Sequence, residues 1–205
     1  KNVVVMQAVI DESGKMKGHA TITSRDYART IRAPRIKNKE EYISQFISKG
    51  KSQFSIDDLK WQNENADSLP LIQDFDLNGS VNSSGDYSFF SINMFAGFGA
   101  NPFISEQRVA DVFFGTNQMH QIVASIRIPE GYVFDELPKN IKMTLADKSL
   151  SVSRMVSAQN GLLSSRITLE FKRPVYSPEE YPDLKEFYKK MYSLLDEQIV
   201  FKKKS

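Results

Sequence analysis

The sequence predicts a mainly β protein made of antiparallel, sandwich-type sheets and two helices. Short runs in which apolar and polar residues alternate, the pattern of half-buried strands, recur about every eight to twelve residues between turn signals. Asn160 and Gly161 separate two such runs, and Asn-Gly is a strong hairpin signal because both central residues of the tight turn need a positive φ. Helical periodicity is confined to residues 38–49 and 178–195.

Strand patterns dominate the first hundred residues. Residues 3–10 and 15–25 are predicted to form a hairpin across a turn that Asp11 opens and in which Gly14 supplies a positive φ. Strand patterns resume at residue 53 and continue to about residue 94.

The first helix is predicted at residues 38–49. Asn38 is followed three residues later by Glu41, which is the spacing of a capping box. Gly50 is placed to end the helix, because glycine adopts the left-handed conformation there without strain. The apolar residues between them recur at helical spacing and are Tyr42, Ile43, Phe46 and Ile47.

The second helix is predicted at residues 178–195. Ser177, Pro178 and Glu180 are typical of a helix start, and residues 199–201 add a short final strand. A wide apolar stripe should pack this helix against the sheets. The stripe comprises Tyr181, Leu184, Phe187, Tyr188, Met191, Leu194 and Leu195.

A glycine-containing loop at residues 95–103 is the candidate boundary between two subdomains. Gly97 and Gly99 interrupt regular structure there. We therefore expect residues 1–100 to form a β-rich subdomain with one helix, and residues 101–205 to form a C-terminal β subdomain that ends in a helix and a short strand.

Composition and charge exclude several classes of function. The 205 residues contain 27 basic and 25 acidic side chains, whereas nucleic-acid binding usually needs a concentrated basic face. The one locally basic stretch, residues 25–39, is interpreted as a solvated face. The sequence has no cysteine, which excludes disulfides, thiolate metal ligands and a cysteine nucleophile within this chain. No apolar run approaches the ~20 residues of a membrane helix, so membrane insertion is not expected.

Neither histidine indicates a catalytic or metal site. His19 and His120 lie in strand patterns without HxH or HExxH spacing, and both are interpreted as half-exposed strand residues. Gly97-Phe98-Gly99 is not a phosphate loop, because no Lys-Ser/Thr follows it. The sequence therefore assigns no catalytic, cofactor-binding or metal-binding residue, and no cofactor is expected.

Two acidic groups are the remaining candidates for chemistry. Asp57 and Asp58 are a candidate carboxylate pair for a hydrolase, although adjacent strand residues point to opposite faces. The segment from Asp74 to Gly79 reads DFDLNG and matches the first half of a calcium loop, but no Glu follows at the twelfth position. A hairpin turn is the favoured interpretation of that segment, and calcium binding is left open. The turn itself is expected either at Asn78-Gly79 or at residues 83–86, which read SSGD.

The aromatic residues leave two interpretations open. Phe95, Phe98 and Phe103 surround the glycines of the candidate boundary and form either an exposed contact patch or part of the core. Trp61, Tyr87 and Phe98 are the side chains expected at the surface if the chain binds a glycan or a peptide.

Three segments, taken in order, resemble a known family. They are NPFISEQR at residues 101–108, IRIPEGYVFDELPKNIKM at residues 126–143, and LEFKRPVYSPEEYPDLKEFYKKMYSLLDEQIVFKK at residues 169–203. They are similar to the C-terminal domain of unknown function of bacterial transglutaminase-like proteins, where it follows a β-rich N-terminal domain and a transglutaminase/protease-like core. The resemblance is specific from about residue 101 and thinner before it.

The resemblance implies a noncatalytic accessory module that packs on and supports the upstream core of the same polypeptide. That core uses a Cys-His-Asp arrangement, and none of it maps here because the chain has no cysteine. The resemblance also implies a place outside the cytoplasm, in the periplasm or at the cell surface. The chain does not begin with Met and is expected to be a piece of a longer protein. The alternative is a carbohydrate- or peptide-binding β-sandwich module at the cell surface.

Overall fold

A wide sheet with one parallel pair of strands forms the frame of the fold. The computed structural model describes residues 1–48 and 54–204. Within them the strands form an eight-stranded sheet, a four-stranded sheet and a two-stranded pair, which confirms the predicted mainly β fold with antiparallel sheets. The large sheet contains, in spatial order, β10 (Ile141–Thr144), β11 (Leu150–Gln159), β12 (Leu162–Phe171), β8 (Gln118–Arg127), β1 (Asn2–Ile10), β2 (Lys15–Ser24), β4 (Leu71–Ser80) and β3 (Phe54–Gln62).

The central pair of the large sheet, β1 with β8, is parallel. Asn2 lies opposite His120, and Val9 lies opposite Arg127. All the other neighbouring strands of this sheet pair antiparallel. A tight turn cannot join parallel strands, and residues 11–117 lie between these two. The pair therefore departs from the predicted antiparallel arrangement, because tertiary structure rather than a local turn brings its strands together.

The smaller sheet also joins strands that are distant in the sequence. Its order is β5 (Asn82–Ser84), β6 (Tyr87–Ser91), β14 (Gln198–Lys203) and β9 (Tyr132–Glu136). The predicted final strand is confirmed as β14, which lies between β6 and β9. The two-stranded pair consists of β7 (Val112–Phe113) and β13 (Val175–Tyr176).

Both sheets cross the proposed subdomain boundary. In the large sheet β1 comes from residues 1–100 and β8 from residues 101–205. In the smaller sheet β6 and β14 pair across the same boundary. The division into subdomains at about residue 100 stays a prediction. Both sheets contain strands from residues 1–100 and from residues 101–205.

The hairpin turns predicted at residues 11–14 and 160–161 are confirmed. Gly14 has a φ of 80° between β1 and β2, and Asn160 and Gly161 have φ angles of 50° and 73° between β11 and β12. The Asp11 carboxylate accepts a hydrogen bond from the Ser13 amide at 2.9 Å, which closes the first turn. Turn chemistry thus sets the register of both hairpins.

Three α-helices lie among the described residues. They are α1 (Tyr27–Arg32), which is followed by a 3₁₀ turn (Ala33–Arg35), α2 (Lys39–Tyr42), which continues as a π-helix (Ile43–Ser48), and α3 (Tyr181–Asp196). The second and third correspond to the helices predicted at residues 38–49 and 178–195, whereas α1 has no sequence prediction. The Asn38 cap is confirmed, because its side chain accepts a hydrogen bond from the Glu41 amide at 3.2 Å. The predicted end at Gly50 lies outside the described residues. No helix in the described part of the chain is long and apolar enough to cross a bilayer.

The inner face of the large sheet forms much of the core. Side chains alternate across each strand, so Met6 is buried while its neighbour Val5 is 43% exposed on the outer face. The α3 stripe covers this inner face: Phe171 of β12 contacts Tyr188, with 6.4 Å between ring centroids. All seven residues of the predicted stripe are buried, as expected for a helix packed on a sheet.

A buried arginine attaches the end of α3 to the large sheet. Arg154 of β11 is 2% exposed. Its guanidinium donates hydrogen bonds to the carbonyl oxygens of Lys139 at 2.9 Å and Leu194 at 2.8 Å, and to the Glu197 carboxylate at 2.7 Å. Leu194 and Glu197 lie at the C-terminal end of α3, where unpaired carbonyls and the helix dipole favour a cation. The guanidinium therefore satisfies both the helix end and its own buried donors.

A buried polar network joins α2 to β1, β2 and β4. The Gln73 amide nitrogen donates to the Ile22 carbonyl at 3.0 Å and to the Ser24 hydroxyl at 3.2 Å, and the Gln73 oxygen accepts from the Tyr42 hydroxyl at 2.7 Å. Ser24 in turn donates to Asn2 at 2.8 Å. Burial raises the pKa of Tyr42 to about 12, which keeps its hydroxyl protonated and able to donate.

We expect Arg154→Ala to lower the free energy of unfolding by about 3 kcal/mol, because three acceptors lose their buried donor. Arg166→Ala removes an exposed arginine from the neighbouring strand β12 and is the matched control, with an expected change below about 0.5 kcal/mol. Urea unfolding followed by circular dichroism measures both. Equal losses in the two variants would contradict the anchoring role of Arg154.

The raised pKa of Tyr42 predicts a loss of stability in alkali. The unfolded tyrosine ionises near pH 10, whereas the folded one keeps its proton until about pH 12. The contribution of Tyr42 is therefore complete below pH 10 and is lost as the pH rises from about 10 to 12. The free energy of unfolding should fall less steeply over this range in Tyr42→Phe than in wild type. Part of the slope should remain, because burial also raises the pKa of Tyr176, Tyr188 and Tyr192. A slope identical to wild type would refute the assignment.

Candidate functional site

A long irregular segment carries the most exposed apolar side chains. Residues 92–111 form neither helix nor strand, and a loop of this length in a packed domain often has a function. Residues 92–96 and the core residue Phe103 are buried, whereas residues 104–111 are all exposed. Ile104 is 79% exposed and Val109 is 98% exposed.

The exposed segment continues into β7. Phe113 is 70% exposed and lies opposite the half-exposed Val175 of β13, while its neighbour Val112 is buried. We refer to the exposed irregular segment together with β7 as the 104–113 loop. Single exposed apolar residues are ordinary, but several on one segment mark a contact surface.

Contacts with α3 hold the 104–113 loop in place. Phe103 packs edge-on against Tyr181, with 5.9 Å between ring centroids. The Tyr181 hydroxyl donates a hydrogen bond to the Ser105 carbonyl at 2.9 Å. The Lys185 ammonium lies 2.8 Å from the Glu106 carboxylate, and this hydrogen bond lowers the pKa of Glu106. The loop is therefore attached to a helix while Ile104, Val109 and Phe113 face solvent.

The second candidate surface is a concave one, which lies beside β9 and at the ends of β8 and β11. It is a cleft of about 830 Å³, and we name it the end cleft. One wall is β9 with the turn before it, and the opposite wall is the tip of the β11–β12 hairpin. Its polar and aromatic lining residues are Arg127, Glu130, Tyr132, Phe134, Asp135, Gln159, Asn160 and Lys204.

His19 contacts two carboxylates on the outer face of the large sheet. Its Nδ1 lies 2.9 Å from Asp76 Oδ1, and its Nε2 lies 3.6 Å from Asp74 Oδ1. The Thr21 hydroxyl donates to Asp74 at 2.7 Å, so the carboxylate rather than the imidazole contacts the hydroxyl. In a base-activated nucleophile the imidazole would accept the proton of the hydroxyl directly. The imidazole side chain is 56% exposed, which confirms the prediction of a half-exposed strand histidine.

His120 lies on the inner side of β8 and is packed among aromatic rings. Its ring is edge-on to Phe98 and Phe171, with centroid distances of 5.2 and 5.9 Å. Its Nε2 lies 3.1 Å from the Gln118 side-chain oxygen. His120 is therefore more enclosed than the predicted half-exposed residue, because the 92–111 segment folds over it.

The segment from Asp74 to Gly79 belongs to β4, so the hairpin turn predicted there is wrong. The alternative turn at residues 83–86 is confirmed, because β5 and β6 pair on either side of it and Gly85 has a φ of 58°. In a strand, alternate side chains on one face are ~7 Å apart, so Asp74 and Asp76 do not converge as the residues of a calcium loop do. Within residues 1–48 and 54–204, no three His, Cys, Asp or Glu side chains are grouped to hold a metal ion.

Asp57 and Asp58 lie on β3, an edge strand of the large sheet. The register with β4 shifts between Asp57 and Lys60, and Asp58 has a φ of 50°. Both carboxylates are exposed, and Asp58 forms an ion pair with Lys60. A glycosidase acid needs a desolvated pocket, which these exposed positions do not provide.

Most of the candidate surface aromatics are packed. Phe95 and Phe103 are 7% and 6% exposed, so the glycine-containing loop contributes to the core. Trp61 and Phe98 are partly buried and pack against that core. Tyr87 is 43% exposed and alone among the three proposed ligand aromatics reaches solvent freely.

The basic stretch at residues 25–39 is a solvated face only in part. Arg29 and Arg32 are each 5% exposed, contrary to the prediction. Arg29 forms an ion pair with Asp67 at 3.2 Å, and the Arg32 guanidinium lies 4.9 Å from the Phe46 ring centroid. Burial lowers the pKa of Arg32. Both arginines are buried because α1, which the sequence did not predict, turns them toward the β3–β4 loop and α2.

Sequence reasoning missed the apolar residues of the 104–113 loop as a site. Ile104, Val109 and Phe113 have the same hydrophobicity as core residues, so composition does not distinguish them. The available signal is that polar residues separate them without strand or helix periodicity over a long stretch.

Comparison with known proteins identifies a family. No curated protein matches the sequence. A solved structure from Parabacteroides distasonis, named "putative protease", is similar over 58% of this chain and 24% of its own length, with 11% sequence identity and a TM-score of 0.47. This chain therefore spans about a quarter of that protein. The profile of DUF3858, described as a domain of unknown function with a solved structure, matches residues 86–201, which contain the whole 104–113 loop and most of the end cleft. Because this match covers more than half of the residues, the chain belongs to the DUF3858 family.

Proposed function

We propose that the chain is a noncatalytic accessory module whose 104–113 loop packs on an adjoining core domain of the same, longer polypeptide and supports it. The observation that carries the proposal is the exposure of Ile104, Val109 and Phe113 on a loop that α3 holds in place. Exposure of apolar side chains to water is unfavourable, and a second protein surface that covers them would remove this cost.

The energetics of docking favour a loop that is already ordered. Burying one large apolar side chain contributes about 1.5–3 kcal/mol, and ordering a flexible segment would consume much of that gain. The hydrogen bond from Tyr181 to Ser105 and the ion pair between Lys185 and Glu106 hold one end of the loop, and the pairing of β7 with β13 holds the other. Docking therefore retains most of the hydrophobic gain.

The placement of the reactive side chains supports a noncatalytic role. His19 is paired with carboxylates on an exposed sheet face, and His120 packs between phenyl rings. Asp57 and Asp58 are exposed on an edge strand. A catalytic constellation would place such groups together around one desolvated position.

The identity of the core and the location of the protein rest on the family resemblance in the sequence. It indicates a transglutaminase/protease-like core upstream and a polypeptide exported to the periplasm or the cell surface. Fractionation of cells that express the full-length polypeptide tests the location, and recovery in the cytoplasm would oppose it.

The docking proposal is tested by Val109→Ser combined with Phe113→Ser in the full-length polypeptide. In the isolated 205-residue chain these exposed positions should change the free energy of unfolding by less than about 0.5 kcal/mol each. In the full-length polypeptide the melting temperature of the core should fall by about 2–8 °C, since each lost kcal/mol lowers it by several degrees.

Met155→Ser is the matched control, because Met155 is 63% exposed but lies on the outer face of the large sheet. It should leave the core unchanged. If the double variant also leaves the melting temperature and protease resistance of the core unchanged, the docking role of the loop is wrong.

A further inference from the structure

We propose that the end cleft binds a neutral oligosaccharide. This function is additional to core docking, and the two surfaces share no residue. The volume of about 830 Å³ lies within the range of clefts that bind small ligands. The cleft has rigid walls, an aromatic ring, polar groups without partners in the protein, balanced charge and an irregular strand edge at β9.

Backbone hydrogen bonds fix both walls of the end cleft. The Ile128 amide donates to the Gly161 carbonyl at 2.9 Å, which joins the turn after β8 to the hairpin tip. The Lys204 amide donates to the Gly131 carbonyl at 2.8 Å, which holds the start of β9. A rigid site loses little conformational entropy on binding.

Tyr132 offers a flat ring at the cleft. Its ring packs against the buried Phe201, with 5.9 Å between centroids, and this contact fixes its orientation. Among the described residues its hydroxyl has no hydrogen-bond partner within the protein. A half-buried tyrosine thus presents apolar ring surface together with a free polar end, which suits the apolar face and the hydroxyls of a sugar.

The polar groups around the ring match sugar hydroxyls. A hydroxyl both donates and accepts, the Glu130 carboxylate accepts, and the amides of Gln159 and Asn160 do both. In the part of the chain that the structure describes, none of these three side chains forms a hydrogen bond within the protein. These three side chains and the Tyr132 hydroxyl therefore give one rigid cleft four polar groups that are free to bind a ligand.

Charge favours a neutral ligand over an acidic one. The two basic residues of the cleft, Arg127 and Lys204, are matched by the acidic Glu130 and Asp135. Asp135 also forms an ion pair with Lys202 beside the cleft. A polyanion would need an excess of cations at the site.

An extended peptide is the weaker candidate, although β9 is the edge strand of the smaller sheet. Strand addition needs a regular edge, and β9 has five residues. Its pairing with β14 is shifted at Asp135, and Pro129 and Pro138 flank it. Short length, a bulge, charge and nearby prolines are features that block strand addition.

The test exposes the purified chain to immobilised neutral oligosaccharides, acidic oligosaccharides and extended peptides, and measures affinity in solution for any that are retained. We expect at least one neutral oligosaccharide to bind. Glu130→Ala and Gln159→Ala should each weaken it about tenfold, as expected for a lost hydrogen-bonding group. Gln7→Ala, an exposed glutamine on the outer face of β1, is the matched control and should bind like wild type.

Circular dichroism of each variant serves as the control for correct folding. Retention of acidic oligosaccharides or peptides alone would overturn the proposal, as would the absence of any oligosaccharide binding at millimolar concentration. Binding that survives both cleft substitutions would also overturn it. Since core docking is measured separately in the full-length polypeptide, failure here leaves that proposal standing.

Discussion

The parallel pairing of β1 with β8 is the contact on which the rest of the fold depends. It joins the two halves of the large sheet, one formed by β1 to β4 and the other by β8 and β10 to β12. The paired residues run from Asn2 with His120 to Val9 with Arg127. The two strands are separated by more than a hundred residues, so their pairing costs loop-closure entropy before it contributes contacts. On its inner face the joined sheet carries buried side chains that contact α2 and α3. The positions of the 104–113 loop and the end cleft follow from that arrangement.

Local signals predicted the local structure well. Asn160 and Gly161 form the hairpin turn because few other residues adopt positive φ there, and Asn38 caps its helix because its side chain replaces a missing backbone partner. The parallel pair could not be predicted in this way, because no turn joins its strands. The burial of Arg29 and Arg32 was equally hidden: their ion pair and ring contact come from segments distant in the sequence.

The two candidate surfaces show why function was less accessible than fold. Phe103 and Ile104 are adjacent and both apolar, yet Phe103 is 6% exposed and Ile104 is 79% exposed. The packing of Phe103 against Phe114 and α3 separates them, and no periodicity in the sequence reveals those contacts. The end cleft likewise combines residues of β8, β9 and β11 with Lys204 near the end of the chain, and each of those residues is ordinary in its own segment. Surfaces of this kind are properties of tertiary structure.

The central claim is that the core covers residues 104–111, which are exposed in the isolated chain. Amide hydrogen exchange at these residues tests it most directly. The exchange of these amides should be measured in the isolated 205-residue chain and in the full-length polypeptide, with the exposed turn at residues 63–69 as the internal reference. We expect slower exchange at residues 104–111 in the full-length polypeptide and equal exchange at the reference. Equal exchange of the loop in both proteins would contradict it.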